Sequence, residues 1–478
     1  MASSSFVHQE EKYFCNNYLV LKPKEAGFSD LFSILCSSDN FKNRNVFDVS
    51  EEVAEAFFSL RRRWLIFISL VFQKFFILFK GPMSSFGLFI EQLLNYPTAN
   101  GGFFRLLFNF LTGRVVKPDR ESAKYMSFLG HIDPRVDLNK KIKPNEEGYI
   151  SGLAIMAAKL SYENEAFTRS IVHDRWQMQF LGFFNFWDDY DEQYATQAIM
   201  FQDKKVDPNL IVVAFRGTSP FSADDWATDL NLSWYEINQV GRIHAGFMKA
   251  LGLQRTKGWP KEIPNANING SKQYAYYSIK QALKNALKEN KKAKFFVTGH
   301  SLGGALAILF PAILFLHEEK ELLDKMEGVY TFGQPRVGDE KFGEFMKKKL
   351  KEYDVKYYRY VYNNDIVPRL PYDDKTLMYK HFGPCLYFNS CYKGQILEEE
   401  PNRNYFSLLW VLPKILSAVF EVIRSLFLPL IRGWEYRESM LMKVSRLIGL
   451  LLPGLVDHAP TDYVNLTRLG TLPHLKND

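Results

Sequence analysis

Cysteine is scarce in this chain of 478 residues. The four present, Cys15, Cys36, Cys385 and Cys391, form no Cys-x-x-Cys pair, and five residues separate the last two. That spacing excludes the usual zinc motifs, and so few thiols in so long a chain exclude a disulfide framework. Neither a metal nor an organic cofactor is expected. A basic, apolar leader is missing as well. The stretch from Met1 to Glu11 is mostly polar, which points to the cytosol or a surface facing it. Charge of one sign is not in large excess. Sixty Lys and Arg against 53 Asp and Glu leave a net +7, spread too thinly for a nucleic-acid partner. Repeats and low-complexity tracts are absent too, and 47% apolar with 24% charged residues excludes wholesale disorder.

Aromatic residues are plentiful instead. The 41 Phe, 25 Tyr and 8 Trp make 15% of the chain, a composition suited to boundaries between oil and water. Two stretches concentrate the apolar residues. After Arg61, Arg62 and Arg63, the run from Trp64 to Phe79 is interrupted only by Ser69, Gln73 and Lys74. As a helix it spans about 24 Å, short of the roughly 30 Å hydrocarbon core of a bilayer. Gly81-Pro82 should break it, and Phe86 to Phe110 resumes the Phe- and Leu-rich pattern. A hairpin or helix lying in one leaflet or a droplet monolayer fits this pattern. A buried helix pair is the alternative, and a spanning helix fits least. The second stretch is Tyr405 to Leu452, where Lys414, Glu421, Arg424 and Arg432 recur as on the narrow polar face of an amphipathic helix. These bounds suggest an N-terminal region, 1–145, with a lipid-associating segment near 61–110. A second domain, 146–478, would then carry a helical insertion near 395–450.

From about Gly148 onward, strands alternate with helices. Leu210 to Phe215 is a continuous apolar strand of the buried kind. Helical spacing follows at Tyr276, Ile279, Leu283, Ala286 and Leu287. Ala293 to Thr298 predicts a strand, Leu302 to Leu316 a helix, Gly328 to Phe332 a strand, Glu340 to Leu350 a helix and Lys356 to Tyr362 a strand. This rhythm argues a mostly parallel sheet flanked by helices.

Gly299-His300-Ser301-Leu302-Gly303-Gly304 matches the Gly-x-Ser-x-Gly nucleophile elbow, with the required strand before it and helix after it. The helix N-terminus also favours negative charge at the site. A serine nucleophile needs an acid and a base later in the chain. Asp365 stands where a loop leaves a strand, with Asp373 and Asp374 as competitors. Of the later histidines, His458 in the loop Pro453 to His458 is the favoured base. His381 is the second choice, and His474 lies near the chain end. For the oxyanion, the donors expected are the backbone N–H of Leu302 and the backbone and hydroxyl of Thr218. The segment Ser219 to Leu232, with Phe221 and Trp226 among aspartates, reads as an amphipathic flap.

Phe215-Arg216-Gly217-Thr218, Asp225-Trp226, His244-Ala245-Gly246-Phe247, the elbow, Thr331 to Gly338 and Asn364 to Pro368 together resemble the class 3 lipases. The resemblance covers roughly Tyr149 to Leu386, plus the end around His458 and Tyr463. It implies an α/β-hydrolase fold with nucleophile Ser301, acid Asp365 and base His458. It also implies oxyanion donors Thr218 and Leu302 and a lid after Thr218 that holds Phe221 and Trp226. Asp457-His458 followed by Asp462 to Asn465, with the apolar N-terminal region and insertion, is similar to the plant oil-body triacylglycerol lipases. Hydrolysis of triacylglycerol at a lipid-droplet or membrane surface is the implied function. A phospholipase or galactolipase, or a silent lipid-droplet scaffold, remains as an alternative.

Overall fold

The computed structural model describes residues 15–36, 46–50, 52–53, 59–188, 193–253, 273–371, 379–403 and 405–472. In chain order the N-terminal part supplies strand β1 (Cys15–Leu21), helix α1 (Phe28–Cys36), strand β2 (Phe47–Val49), the long helix α2 (Leu60–Ala99), α3 (Phe103–Leu111) and the short α4 (Phe128–Ile132). Next come α5 (Tyr149–Leu160), β3 (Gln179–Asp188), β4 (Gln193–Asp203), β5 (Leu210–Phe215), α6 (Ala223–Asp229), β6 (Trp234–Ile237) and β7 (Gly241–His244). The alternation continues through α7 (Ala275–Glu289), β8 (Lys294–His300), α8 (Leu302–Leu316), β9 (Met326–Phe332), α9 (Glu340–Glu352) and β10 (Lys356–Tyr362). Strands β11 (Cys385–Phe388) and β12 (Gly394–Leu397) precede α10 (Val411–Arg432), α11 (Met440–Ile448) and α12 (Pro460–Leu469).

Eight strands form the main sheet in the order β12-β11-β10-β9-β8-β5-β4-β3. The central strands β5, β8, β9, β10 and β11 run parallel, while β3, β4 and β12 pair antiparallel at the edges. Every side chain of β5 is buried, as is every residue of α8. Apolar clusters fill both faces of the sheet, so its strands read as unbroken hydrophobic runs rather than alternating ones. This is the doubly covered α/β-hydrolase architecture, and the ends of β8 and β10 bring their loops to one edge.

Two features depart from the sequence expectations. The N-terminal strand β1 pairs antiparallel with β6, in the register Tyr18↔Tyr235 and Leu19↔Trp234, within a four-stranded sheet β2-β1-β6-β7. Strand β1 is thus hydrogen-bonded to the strand that follows α6. Gly81 and Pro82 do not break the apolar run either: α2 is one helix of 40 residues that carries both Pro82 and Pro97 inside it. A proline forfeits only its own N–H bond and tilts the axis. Here the helix is held on both sides of that point, by Ile66 and Leu70 packed in a core cluster with β1 and by Asn95 bonded to Met126 O at 2.9 Å.

Both apolar stretches turn their polar side inward. On α2 the buried residues include Ser69, Gln73 and Asn95, while Phe72, Phe75, Leu78 and Phe89 are exposed. On α10 the buried set is Lys414, Glu421, Arg424, Ser425, Leu428 and Pro429, while Leu412, Leu416, Ile423, Leu426 and Leu430 face out. Arg432 is exposed at the helix end.

Candidate active site

At the end of β8 the chain turns so sharply that Ser301 takes φ +59° before α8 begins. A non-glycine residue at positive φ costs on the order of 1–3 kcal/mol, so the surroundings must enforce it. They do so through close packing: a Cβ on Gly299 would collide with the backbone of Gly303, and one on Gly303 with the Phe215 carbonyl. Ser301 N donates to Phe332 O at 2.9 Å. The serine is left beneath the surface, 4% exposed.

Asp365 leaves the turn after β10 and is fully buried. Its Oδ2 accepts from His458 Nδ1 at 2.8 Å and from the Tyr463 hydroxyl at 2.5 Å, while Oδ1 accepts from Val367 N at 2.9 Å. His458 comes from the short turn Val456–His458 that precedes α12. With Nδ1 engaged, its buried Nε2 has no hydrogen-bond partner. Gly333 seals the pair from the side, since a Cβ there would sit 2.8 Å from the His458 ring and 2.9 Å from Asp365. His300, inside the elbow, packs its ring 4.5 Å from that of His458 and reaches His458 O through Nε2 at 2.8 Å. Its Nδ1 meets the Tyr162 hydroxyl at 3.0 Å. Burial holds His300 neutral, its pKa well below the usual value. A neutral ring with Nε2–H toward the carbonyl accepts from Tyr162 at Nδ1.

The loop after β5 closes on the serine from the other side. A Cβ on Gly217 would lie 2.3 Å from the His300 carbonyl oxygen and 3.1 Å from Ser301 Cβ, so glycine lets this loop pack against the elbow. Leu302 opens α8, where geometry leaves its N–H without an intrahelical acceptor. Thr218 Oγ1 lies 2.6 Å from Asp229 Oδ2 at the end of α6. Burial, reinforced by Asp225, pushes Asp229 up to about 8, against the lowering effect of the Thr218 bond.

The flap is helical over α6 and packs beneath α2. Trp226 stacks on Phe76 with centroids 6.3 Å apart, and Phe221 meets Phe86 at 5.8 Å and Phe128 at 5.0 Å. Lys80 pairs with Asp224 at 2.7 Å, and Ser69 Oγ donates to Leu230 O at 2.7 Å.

The structure joins Asp365 to His458 directly and sets Ser301 near them through its neighbour His300, with Gly217 of the Thr218 loop packed against the serine and Leu302 next to it in the chain. It sends His381 elsewhere: buried beside Glu400, it bonds Pro368 O at 2.7 Å and its pKa falls well below normal, chiefly through burial. Asp373, Asp374 and His474 lie outside the described residues. The supporting roles of Tyr162, Asp229 and Glu421 carried no motif that would have revealed them. Glu421 Oε1 accepts from Tyr362 OH at 2.5 Å and Asn363 Nδ2 at 3.1 Å. Asn363 Nδ2 also bonds Asp457 at 2.9 Å, so the insertion is tied to the residues flanking both Asp365 and His458.

The family model described as lipase (class 3) matches residues 212–375, a span that includes Thr218, Ser301 and Asp365. His458 falls outside it and is placed by the structure alone. Triacylglycerol lipase OBL1 of Arabidopsis thaliana is 39% identical, over 95% of each chain. The protein of that name from Nicotiana tabacum is 41% identical, covering 85% of this chain and 83% of its own. The Ricinus communis counterpart is 35% identical over 96% of each. Likeness of this order, sustained over most of each chain and joined by the family match, makes this chain a member of the class 3 lipase family.

Proposed function

We propose that Ser301, His458 and Asp365 are the catalytic triad of a triacylglycerol lipase that works at the surface of lipid droplets. The Asp365–His458 bond of 2.8 Å beside the strained serine turn carries this reading. Ser301 Oγ attacks the ester carbonyl while His458 Nε2 takes its proton. Asp365 holds the ring in the tautomer with Nδ1–H and stabilises the imidazolium. Backbone N–H groups of Thr218 and Leu302 meet the oxyanion. Return of the proton to the leaving oxygen releases diacylglycerol and leaves acyl-Ser301. Water activated by the same His458 then frees the fatty acid.

The relatives' shared name, triacylglycerol lipase, supports the substrate. The exposed apolar sides of α2 and α3 support attachment to a lipid surface. Helix α2 is long and apolar enough to cross a membrane. Its packing from Ile66 to Asn95 along the protein body suits lying in the interface instead.

Purified protein assayed in parallel on emulsified triacylglycerol, phospholipid and galactolipid should turn over triacylglycerol fastest. Ser301→Ala, His458→Ala and Asp365→Asn should each lose about 10⁴–10⁶-fold in kcat, with His381→Ala much less affected. Substantial turnover by Ser301→Ala would overturn the nucleophile, and a phospholipid preference would overturn the substrate. Attachment is tested by Phe72→Glu, Phe75→Glu, Leu78→Glu and Phe89→Glu together. Deleting 61–110 would also remove Ile66 and Leu70 from the core. The fourfold variant should leave the droplet fraction and keep short-ester hydrolysis; unchanged flotation would refute the anchor.

A further inference from the structure

We infer that the insertion between Asp365 and His458 is a second lipid-docking surface, whose outward α10 and α11 side chains enter the headgroup–acyl boundary of an anionic phospholipid layer. This rests on the lipase reading and adds a surface separate from α2.

The polarity of the insertion is inverted for a water-facing element. Between Tyr405 and Arg432 there are four charged residues, Lys414, Glu421, Arg424 and Arg432, and the first three are buried. Outside stand Leu408 and Leu409, 87% and 85% exposed, followed by Leu412, Leu416, Ile423, Leu426 and Leu430. Helix α11 repeats the arrangement: Arg446 is buried, while Val444, Leu447 and Ile448 are exposed. An apolar face this large on a water-soluble surface calls for an occupant.

The inward charges are all engaged. Arg446 pairs with Glu421 at 3.0 Å, Glu438 at 2.7 Å and Asp462 at 3.0 Å, and Arg424 pairs with Asp462 at 2.9 Å. Rotating α10 to hide its leucines would strand these ions, so the apolar face is fixed outward.

Charge identifies the occupant. The only carboxylate on α10 is the buried Glu421, α11 has none, and the charged groups these helices leave toward solvent, Arg432 and Lys443, are basic. In the turn between them Arg437 is exposed, and the exposed Glu435 is paired with Lys141 at 3.4 Å. Helices α2 and α3 follow the same rule: their one acid, Glu91, accepts from Phe128 N at 3.0 Å, away from the exposed face. Apolar side chains with a basic rim match anionic headgroups over acyl chains. The two surfaces meet through α4, since Ser439 Oγ donates to Ile132 O at 2.9 Å and Phe128 N bonds Glu91 on α2. The insertion also ends at the site. Gly454 O accepts from Ile366 N at 3.2 Å, one residue past the catalytic acid, and Tyr405 bonds Pro453.

The test uses full-length protein on the Ser301→Ala background, so that binding is read without turnover. Leu409→Glu, Leu412→Glu, Leu416→Glu and Leu430→Glu are combined, with the matching set of serines as a neutral control. Co-sedimentation with phosphatidylcholine vesicles containing about one quarter phosphatidylserine should fall about tenfold or more for the glutamate set and less for the serine set. In the Ser301 protein, both sets should keep short-ester hydrolysis within about twofold of the parent, because the replaced side chains face outward. Unchanged vesicle binding would overturn the proposal. So would a change from dimer to monomer in light scattering with binding intact, which would give the face to a second copy. Loss of short-ester activity in the serine set would assign the leucines to the folded core. Because α2 is intact in these variants, failure here leaves the droplet anchor and the substrate reading standing.

Discussion

Thr218 and Asp229 share one short hydrogen bond, and which of them owns its proton sets what the threonine can offer a substrate. An ionised Asp229 takes the hydroxyl hydrogen for itself. A protonated Asp229 donates to Thr218 Oγ1 and frees that hydrogen for the oxyanion that Thr218 is proposed to meet. Burial raises Asp229 to about 8, and its Oδ1 has no partner, so the neutral form holds at pH 7. Nearby, Asp225 lies 3.9 Å from Arg216 and accepts from Ser219 N at 2.9 Å, a separate pairing. We expect kcat/KM to fall as pH rises through about 8. Asp229→Asn, which keeps a donor at all pH values, should abolish that limb while holding the neutral-pH rate within about tenfold. Thr218→Val, with the hydroxyl gone, should cost about 10²–10³ in kcat. A pH profile unchanged by Asp229→Asn would show that this proton plays no part in catalysis.

Among the elements, α2 stands over α6 as a strap. Its Gly87 is the seat of Phe221, since a Cβ there would lie 2.5 Å from the ring-bearing carbon. Overpacking of this kind costs about 1–3 kcal/mol; we propose that α6 is a lid over Ser301, so that Gly87→Ala sets that cost against its packed position. Turnover of a soluble short-chain ester should then rise about fivefold or more, and the additional gain on emulsion should shrink. Equal soluble-ester rates, with an unchanged melting temperature, would show that α6 does not gate Ser301. None of this strap was legible in the sequence. The elbow and its flanking strands were, because β5, α8 and β10 are fully or almost fully buried and leave continuous apolar runs with a glycine turn between. Asp365 and His458 could be chosen from order and loop setting. The pairing of β1 with β6 could not, because it joins positions over two hundred residues apart, such as Leu19 and Trp234, with no local trace. Periodicity in α10 marked a polar and an apolar stripe, but it carried no sign of which one faced the core. The ion pairs of Arg424 with Asp462 and of Glu421 with Arg446 decided that.

Across the whole molecule the buried ionisable groups pull stability in opposite directions with pH. Asp229 at about 8 and Glu163 at about 7 are raised chiefly by burial, and Asp225, Glu91, Asp339 and Asp457 move the same way. Asp229 and Glu163 keep their protons in the fold up to about 8 and about 7, whereas an unfolded carboxyl ionises near pH 4. The stability linked to them is complete below about pH 4 and is lost as pH rises through 7 to 8. His244, lowered to about 4, and His300 and His381, also lowered by burial, act oppositely: unfolding lets them take up protons below about 6.5, so acid weakens the fold. Glu400, which against its burial is held near 2 by Arg336, Arg359 and Arg369, adds a loss as pH falls from about 4 to 2. Above about pH 6.5 the histidines are neutral in both states and the raised carboxyls alone decide the slope. The melting temperature should therefore decline between about pH 6.5 and 8.5 by several degrees. Glu163→Gln and Asp229→Asn should each flatten that decline, and together more than singly, because their bonds to Ser127 and Thr218 lie in different parts of the fold. A melting temperature that rises across this window would mean that the buried carboxyls are already ionised at neutral pH. The proton assigned to Asp229 would then have to be given up as well.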